Sequence, residues 1–189
     1  MELTPLGIEG AWVASSPIWA DSRGNFREWF KISVIREITG LDFSVAQANL
    51  SESRSGVVRG IHYSVTEDGQ AKWVTCVTGA IRDVVVDLRL ASGTYGHYVS
   101  VDLVGGDGKA ILISHGLGHG FVSLEEGSKV AYLVTSPYSP SQELEINPLD
   151  PGIGIDWGIP IERLLISPKD AAAPSLSERA AEGNLPKSP

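Results

Sequence analysis

The sequence predicts an all-β domain, a sandwich or barrel of many short strands with a few short helices. Turn signals recur about every ten residues, at Asp21-Ser-Arg-Gly24, Glu67-Asp-Gly69, Thr78-Gly79, Ser92-Gly93 and Gly105-Gly-Asp-Gly108. The runs between them are short and β-branched or alternating, as strands packed on a core require. The chain has 189 residues, 42% of them hydrophobic, which suits one core. No repeat or low-complexity linker divides it, so a single domain over 1–185 is expected.

Taken in order, Phe30, Val34, Ile35 and Ile38 recur at helical spacing and Gly40 supplies a stop, which predicts a helix over Phe30–Thr39. Gly56–Tyr63 is an apolar, strand-like run. Val74–Val77, Val84–Leu88, Tyr98–Leu103, Ala110–Ile113 and Lys129–Thr135 read as further strands. Ser175 and Glu178 have capping-box spacing and Gly183 follows as a stop, so a second short helix begins there. After Leu185 the ending, 186–189, reads as a flexible tail.

Composition excludes several classes. No apolar run approaches the length of a membrane span, and the start MELTPLGIEG has neither the basic nor the apolar region of a secretory signal. A single cysteine, Cys76, rules out an internal disulfide framework and fits the cytoplasm. The formal net charge is −8 and the pI about 4.9, which disfavours extended nucleic acid as a partner. The acid is unevenly placed: 21–89 holds nine basic and nine acidic residues, so the whole surplus lies elsewhere.

Four histidines are present, at 62, 97, 115 and 119. A lone histidine in a strand is usually a satisfied core residue. For His62 the neighbours shift that balance. Arg59 lies three residues before it, and Lys72 opens an apolar strand where an unpaired ammonium would be costly. Arginine, histidine and lysine reaching into a barrel would form an anion or oxyanion site. Strand alternation raises a difficulty, because residues 59 and 62 should face opposite ways unless Gly60 marks a bulge. Gln47 and Asn49 can share a face. Asp83 and Asp87 also share one, with at least one pointing inward towards Lys72 and the surface as the default for the other.

A metal is the alternative. Cupin-type barrels bind one with a His-x-His pair and a later histidine. Here His62-Tyr-Ser64 lacks the second ligand, and Gly116-Leu-Gly-His119 keeps only the last. No metal is expected. Tyr132 is centred on an apolar strand and is either core or a proton donor. Tyr138 lies in a proline-flanked loop, either idle or stacking on a base. Asp170 matters only if the chain folds back to orient His62.

These pieces resemble the dTDP-4-dehydrorhamnose 3,5-epimerase family. The matching segments are Asp21–Glu28, Gln47-Ala-Asn49, Gly56–Tyr63, Gly69-Gln-Ala-Lys72, Asp83–Arg89, Gly116–Phe121, Tyr132, Asp156-Trp157 and Lys169–Pro174, spread over about Pro5 to Leu185. The resemblance implies a metal-free, cupin-like jelly-roll barrel that needs no cofactor and forms a homodimer. It implies that His62 is the base, oriented by Asp170, that Tyr132 is the acid and that Lys72 stabilises the enolate oxygen. Arg23, Glu28, Gln47, Ala48, Asn49, Arg59, His119, Glu143 and Lys169 would then hold a dTDP-4-keto-6-deoxyhexose, with Tyr138 on the thymine and some contacts crossing the dimer. A mono-epimerase, a non-catalytic sugar-nucleotide binder and a metal-dependent cupin are the competing readings. Departures from the family pattern, at Ile61 and Ser64 and at Gly118, are expected to change pocket volume beside the sugar.

Overall fold

The computed structural model describes residues 1–66 and 69–186. Most of the expected turn at 67–69, and the tail at 187–189, lie outside the described residues.

The strands are β1 (Glu2–Pro5), β2 (Ala11–Ser15), β3 (Trp19–Asp21), β4 (Gly24–Phe26), β5 (Gln47–Ser53), β6 (Val57–Ser64) and β7 (Lys72–Thr78). They continue with β8 (Ala80–Asp87), β9 (Tyr98–Val104), β10 (Lys109–Ile113), β11 (Leu117–Ser123), β12 (Ser128–Val134), β13 (Glu143–Glu145) and β14 (Leu165–Ile166). One sheet has the order β1-β2-β10-β7-β12-β5, the other β13-β6-β11-β8-β9, with β14 added parallel to β6. Successive strands from β5 to β8 alternate between the sheets, and so do β9 to β13. This wrapping is an all-β jelly-roll barrel: the turn spacing and the short runs predicted a sandwich or barrel, and the family resemblance implied the jelly roll. Among the described residues no helix is long and apolar enough to cross a membrane.

Strand alternation divides the core in three. Val74 and Cys76 of β7, Ile111 and Ile113 of β10, Ile81 and Val85 of β8 and Phe121 of β11 point between the sheets. The other face of β7 and β10 carries Trp73 and Leu112, covered by Phe43 and by Ile35 of helix α1 (Ile32–Thr39). The other face of β6 and β8 carries Ile61, Tyr63, Val84 and Val86, covered by the chain after β13, including Trp157 and Leu176. Because both faces are covered, β7 and β8 read as nearly continuous apolar runs.

Helix α1 starts two residues later than its pattern predicted. It ends at Gly40 in the left-handed conformation, whose N–H bonds the Arg36 carbonyl. Ile38, placed on the buried stripe by its spacing, is 49% exposed. Helix α3 (Leu176–Ala181) has the full capping box between Ser175 and Glu178. The short helix α2 (Pro168–Ala171) had no sequence forecast. It is set by proline in its first turn and by Ser167, whose side chain caps the Asp170 N–H at 3.0 Å.

Asp87 is not at the surface. It is fully buried, and its carboxylate accepts hydrogen bonds from Arg89, Ser92 and Thr94 at 2.6 to 2.8 Å. Burial pushes its pKa up, but these donors together hold it far below the usual carboxylate range. Its contribution to stability is therefore complete above about pH 4, the unfolded carboxylate value, and falls away as the medium is acidified. Asp87→Asn is expected to cost about 3 kcal/mol at pH 7, and the gap from wild type should narrow towards pH 2 in urea-unfolding midpoints.

Candidate active site

The cleft opens at one end of the barrel and encloses about 700 Å³. It depends on an irregularity in β6. His62 pairs with His119 across the strands and Arg59 pairs with Phe121, so Gly60 and Ile61 together face Gly120 alone. This is a β-bulge. It restores Arg59 and His62 to the cleft side, while Val58, Ile61 and Tyr63 all pack on the outer core. Gly60 has φ +127°, and a Cβ there would lie 2.5 Å from the Gly120 Cα. Only a pair of glycines permits that approach.

His62 bonds Asp170 of α2 through Nε2, at 2.8 Å from Oδ1. Burial raises the pKa of Asp170, but the hydrogen bonds from His62 and Ser167 and from the Gly60 backbone outweigh it and leave the carboxyl below its usual value. The carboxylate thus accepts Nε2–H and leaves Nδ1 of His62 free as an acceptor. Lys72 begins β7 on the opposite sheet and points inward, as its place in an apolar strand suggested. Its Nζ reaches across to the His62 carbonyl at 3.4 Å. Burial lowers its pKa, opposed by the charges of Glu143 and Asp83.

Tyr132 of β12 faces the cleft from the same sheet as Lys72, opposite His62. Burial raises its phenol and Glu143 adds to this, against Arg59, so the hydroxyl keeps its proton at neutral pH. Arg59 spans the sheets too, donating to Ser53 Oγ at 3.1 Å and to the Glu52 carbonyl at 3.2 Å. Gln47 and Asn49 share the cleft face of β5 and bond each other at 2.6 Å, and Gln47 Oε1 also accepts the Tyr138 N–H at 3.0 Å. Glu143, Lys169 and His119 line the cleft as well, with Tyr138 exposed at its mouth.

Three expected residues stand apart. Ala48 sits on the outward face of β5, so only its backbone borders the row of Gln47 and Asn49. Arg23 pairs with Asp21 and Glu28 with Lys31, and neither lines the cleft of its own chain. Ser64 is buried against Thr66 at 3.1 Å. The expectation that Gly118 alters pocket volume also fails. A Cβ on residue 118 would point away from the cleft, 2.6 Å from Ile61 Cγ2 and 3.0 Å from Leu88. The branched Ile61 fills the space that Gly118 leaves, so these two departures compensate each other in the outer core.

Sequence reasoning missed Gln70, which is buried and donates to Glu143 at 2.9 Å and to Ser136. It lies within the Gly69-Gln-Ala-Lys72 segment, but nothing in the pattern gave it a partner. Arg54, Glu145 and Phe121 also line the cleft unannounced. Among the described residues no three His, Cys, Asp or Glu side chains are grouped to hold a metal.

Comparison with known proteins places this geometry. The profile of the dTDP-4-dehydrorhamnose 3,5-epimerase family matches residues 5–178. The chain belongs to that family. It is 45% identical to a dTDP-4-dehydrorhamnose 3,5-epimerase from Mycolicibacterium smegmatis, over 98% of this chain and 91% of the relative. An rmlC epimerase from Mycobacterium tuberculosis superposes with a TM-score of 0.95 at 41% identity, covering 99% of this chain and 94% of the other. ChmJ, a 3′-monoepimerase from Streptomyces bikiniensis in complex with dTDP-quinovose, superposes with a TM-score of 0.92 at 43% identity, covering 97% and 92%. As a member of the dTDP-4-dehydrorhamnose 3,5-epimerase family the chain is an isomerase, and its cupin-like jelly roll is the fold these relatives share.

The bulge gives a direct test. Gly60→Ala combines a disfavoured backbone angle with a clash against backbone, and is expected to lose roughly 1–3 kcal/mol of stability. Activity should fall beyond what unfolding explains, because Arg59 and His62 lose their shared direction. Urea midpoints measured beside turnover of the folded fraction separate the two losses.

Proposed function

We propose that this chain epimerises dTDP-4-dehydro-6-deoxy-D-glucose, or a related 4-keto deoxysugar nucleotide, at C3 and C5 through an enolate. The observation that carries this reading is the opposition of His62 on one sheet, held by Asp170 of α2, to Tyr132 and Lys72 on the other. A 4-keto group acidifies the C–H bonds on both flanking carbons, so one base suffices for either.

His62 Nδ1 takes the proton, and Asp170 stabilises the imidazolium through Nε2–H. The electron pair moves onto O4, where the Lys72 ammonium stabilises the developing charge. The Tyr132 phenol then returns a proton to the opposite face of the carbon and inverts it. Solvent restores the tyrosine and takes the proton from His62. Arg59 and Lys169 supply cations for the diphosphate, and Tyr138 at the mouth offers a ring for the base.

Solvent deuterium is expected at C3 and at C5 of the substrate by NMR in D2O, with a fall of about 10²- to 10⁴-fold after His62→Ala. No exchange at high enzyme concentration would overturn the reading. Label at one carbon alone would make the chain a mono-epimerase, the activity named for ChmJ.

Arg23 and Glu28 belong to this reading as contributions from a second copy. They sit on and just after the exposed β3–β4 hairpin, whose Trp19 and Phe26 stack at 5.9 Å with half or more of each in solvent. Such aromatic surface on a projecting hairpin suits a partner chain. Light scattering should give twice 20.2 kDa. Arg23→Ala should raise KM about tenfold, the value of a charged hydrogen bond, with mass and kcat little changed. A monomeric mass would remove this part of the proposal.

A further inference from the structure

Two histidines on the cleft wall are held by carboxylates. His119 is the cross-strand partner of His62. Its Nε2 lies 2.8 Å from Asp83 Oδ2, matching the distance from His62 Nε2 to Asp170. Asp83 is 0% exposed, and its second oxygen, Oδ1, has no hydrogen-bond partner among the described residues. Burying such a group unpaired is unfavourable, and an apolar residue packed beside Ile81 and Val85 would avoid that cost. The position therefore calls for a reason other than stability.

We infer that Asp83 is a positioning residue for the epimerisation proposed above, fixing the His119 ring with Nδ1 towards the sugar. By accepting Nε2–H it determines the tautomer of His119 and its rotation, as an outer carboxylate does for a ligand histidine. His119 Nδ1 makes no hydrogen bond to protein among the described residues, and the ring lines the cleft beside Lys72. The two carboxylates differ in setting. Asp170 is held ionised by its donors, whereas burial pushes Asp83 up against the opposing effects of His119 and Lys72. The His62 pair suits removal of a proton, and the His119 pair suits a hydrogen bond to the sugar.

Lys72 is faced by Asp83 from β8, Glu143 from β13, His62 from β6, His119 from β11 and Tyr132 from β12. Removing the Asp83 charge takes away one of the two carboxylates that favour its charged form. Asp83→Asn, which keeps shape and an acceptor, is expected to lower kcat about 10- to 100-fold, with KM changed less than about threefold. The alkaline limb of the kcat profile should move to lower pH. A purely structural aspartate would leave that limb in place, and an unchanged kcat and limb would overturn the proposal.

If the Asn variant does not fold, nitrogen NMR of histidine-labelled wild-type enzyme decides, with the signal assigned through His119→Gln. A protonated Nε2 on neutral His119 is expected, and the Nδ1–H tautomer would overturn the proposal. That measurement needs no substrate, so it fails or succeeds separately from the proposed epimerisation.

Discussion

The geometry of the cleft depends on one close contact between backbones, Gly60 against Gly120. Without two residues facing one at that point, Arg59 and His62 would point to opposite faces of β6, and one of them would enter the outer core beside Tyr63. Everything around His62 follows from its direction. Asp170 can reach it only because α2 lies against β6, and α2 is placed by Ser167 and by β14 pairing parallel to β6. Lys72 meets the His62 carbonyl from the facing sheet. A bulge thus converts a strand with two outward anchors into one that carries two polar groups inward.

Electrostatics inside the barrel are organised by pairing rather than by net charge. The chain is strongly acidic, yet the cleft wall holds Arg54, Arg59, Lys72 and Lys169. Lys169 is tied to Glu145 at 2.9 Å, and Arg59 is pinned by a serine and a carbonyl instead of a carboxylate. An arginine oriented by neutral acceptors keeps its charge available to an anion. The acidity reads as solubility at the surface, while a diphosphate needs only a few cations in a low-dielectric cleft.

Much of this was legible in the sequence, and the reasons differ from residue to residue. Turn residues and β-branched runs marked β7 to β10 and β12 because local chain stiffness and burial act over a few residues. Lys72 announced itself because an ammonium in an apolar strand has no bland explanation. The parity conflict at Arg59 and His62 pointed to Gly60, because alternation along a strand is a local rule. Pairings that join distant segments were not legible: one of Asp83 and Asp87 was left at the surface by default, because the Asp87 donors Ser92 and Thr94 lie in a loop whose path no periodicity describes. The partner of Asp83 was missed for the same reason, since His119 is 36 residues away. Nor could sequence say which way a missing side chain would point, which is why Gly118 was misplaced beside the sugar.

The corrected position of Gly118 changes how selectivity between C3 and C5 has to be understood. Ile61 and Gly118 fit each other in the outer core, so neither of the two reaches the sugar. On the proposed reading, one base and one acid on fixed sheets serve both carbons. The ring must then present either carbon to His62 by tilting about O4 beneath Lys72. That tilt is limited by how the remainder of the substrate is anchored. Contacts remote from the reacting carbon can be spent on orienting it. On that reading Arg59, Lys169 and Tyr138, rather than Ile61 and Gly118, bear on the choice between one carbon and two. Two relatives with different named specificities at 45% and 43% identity are what that arrangement allows, because a change of anchoring leaves the barrel and its reacting groups intact.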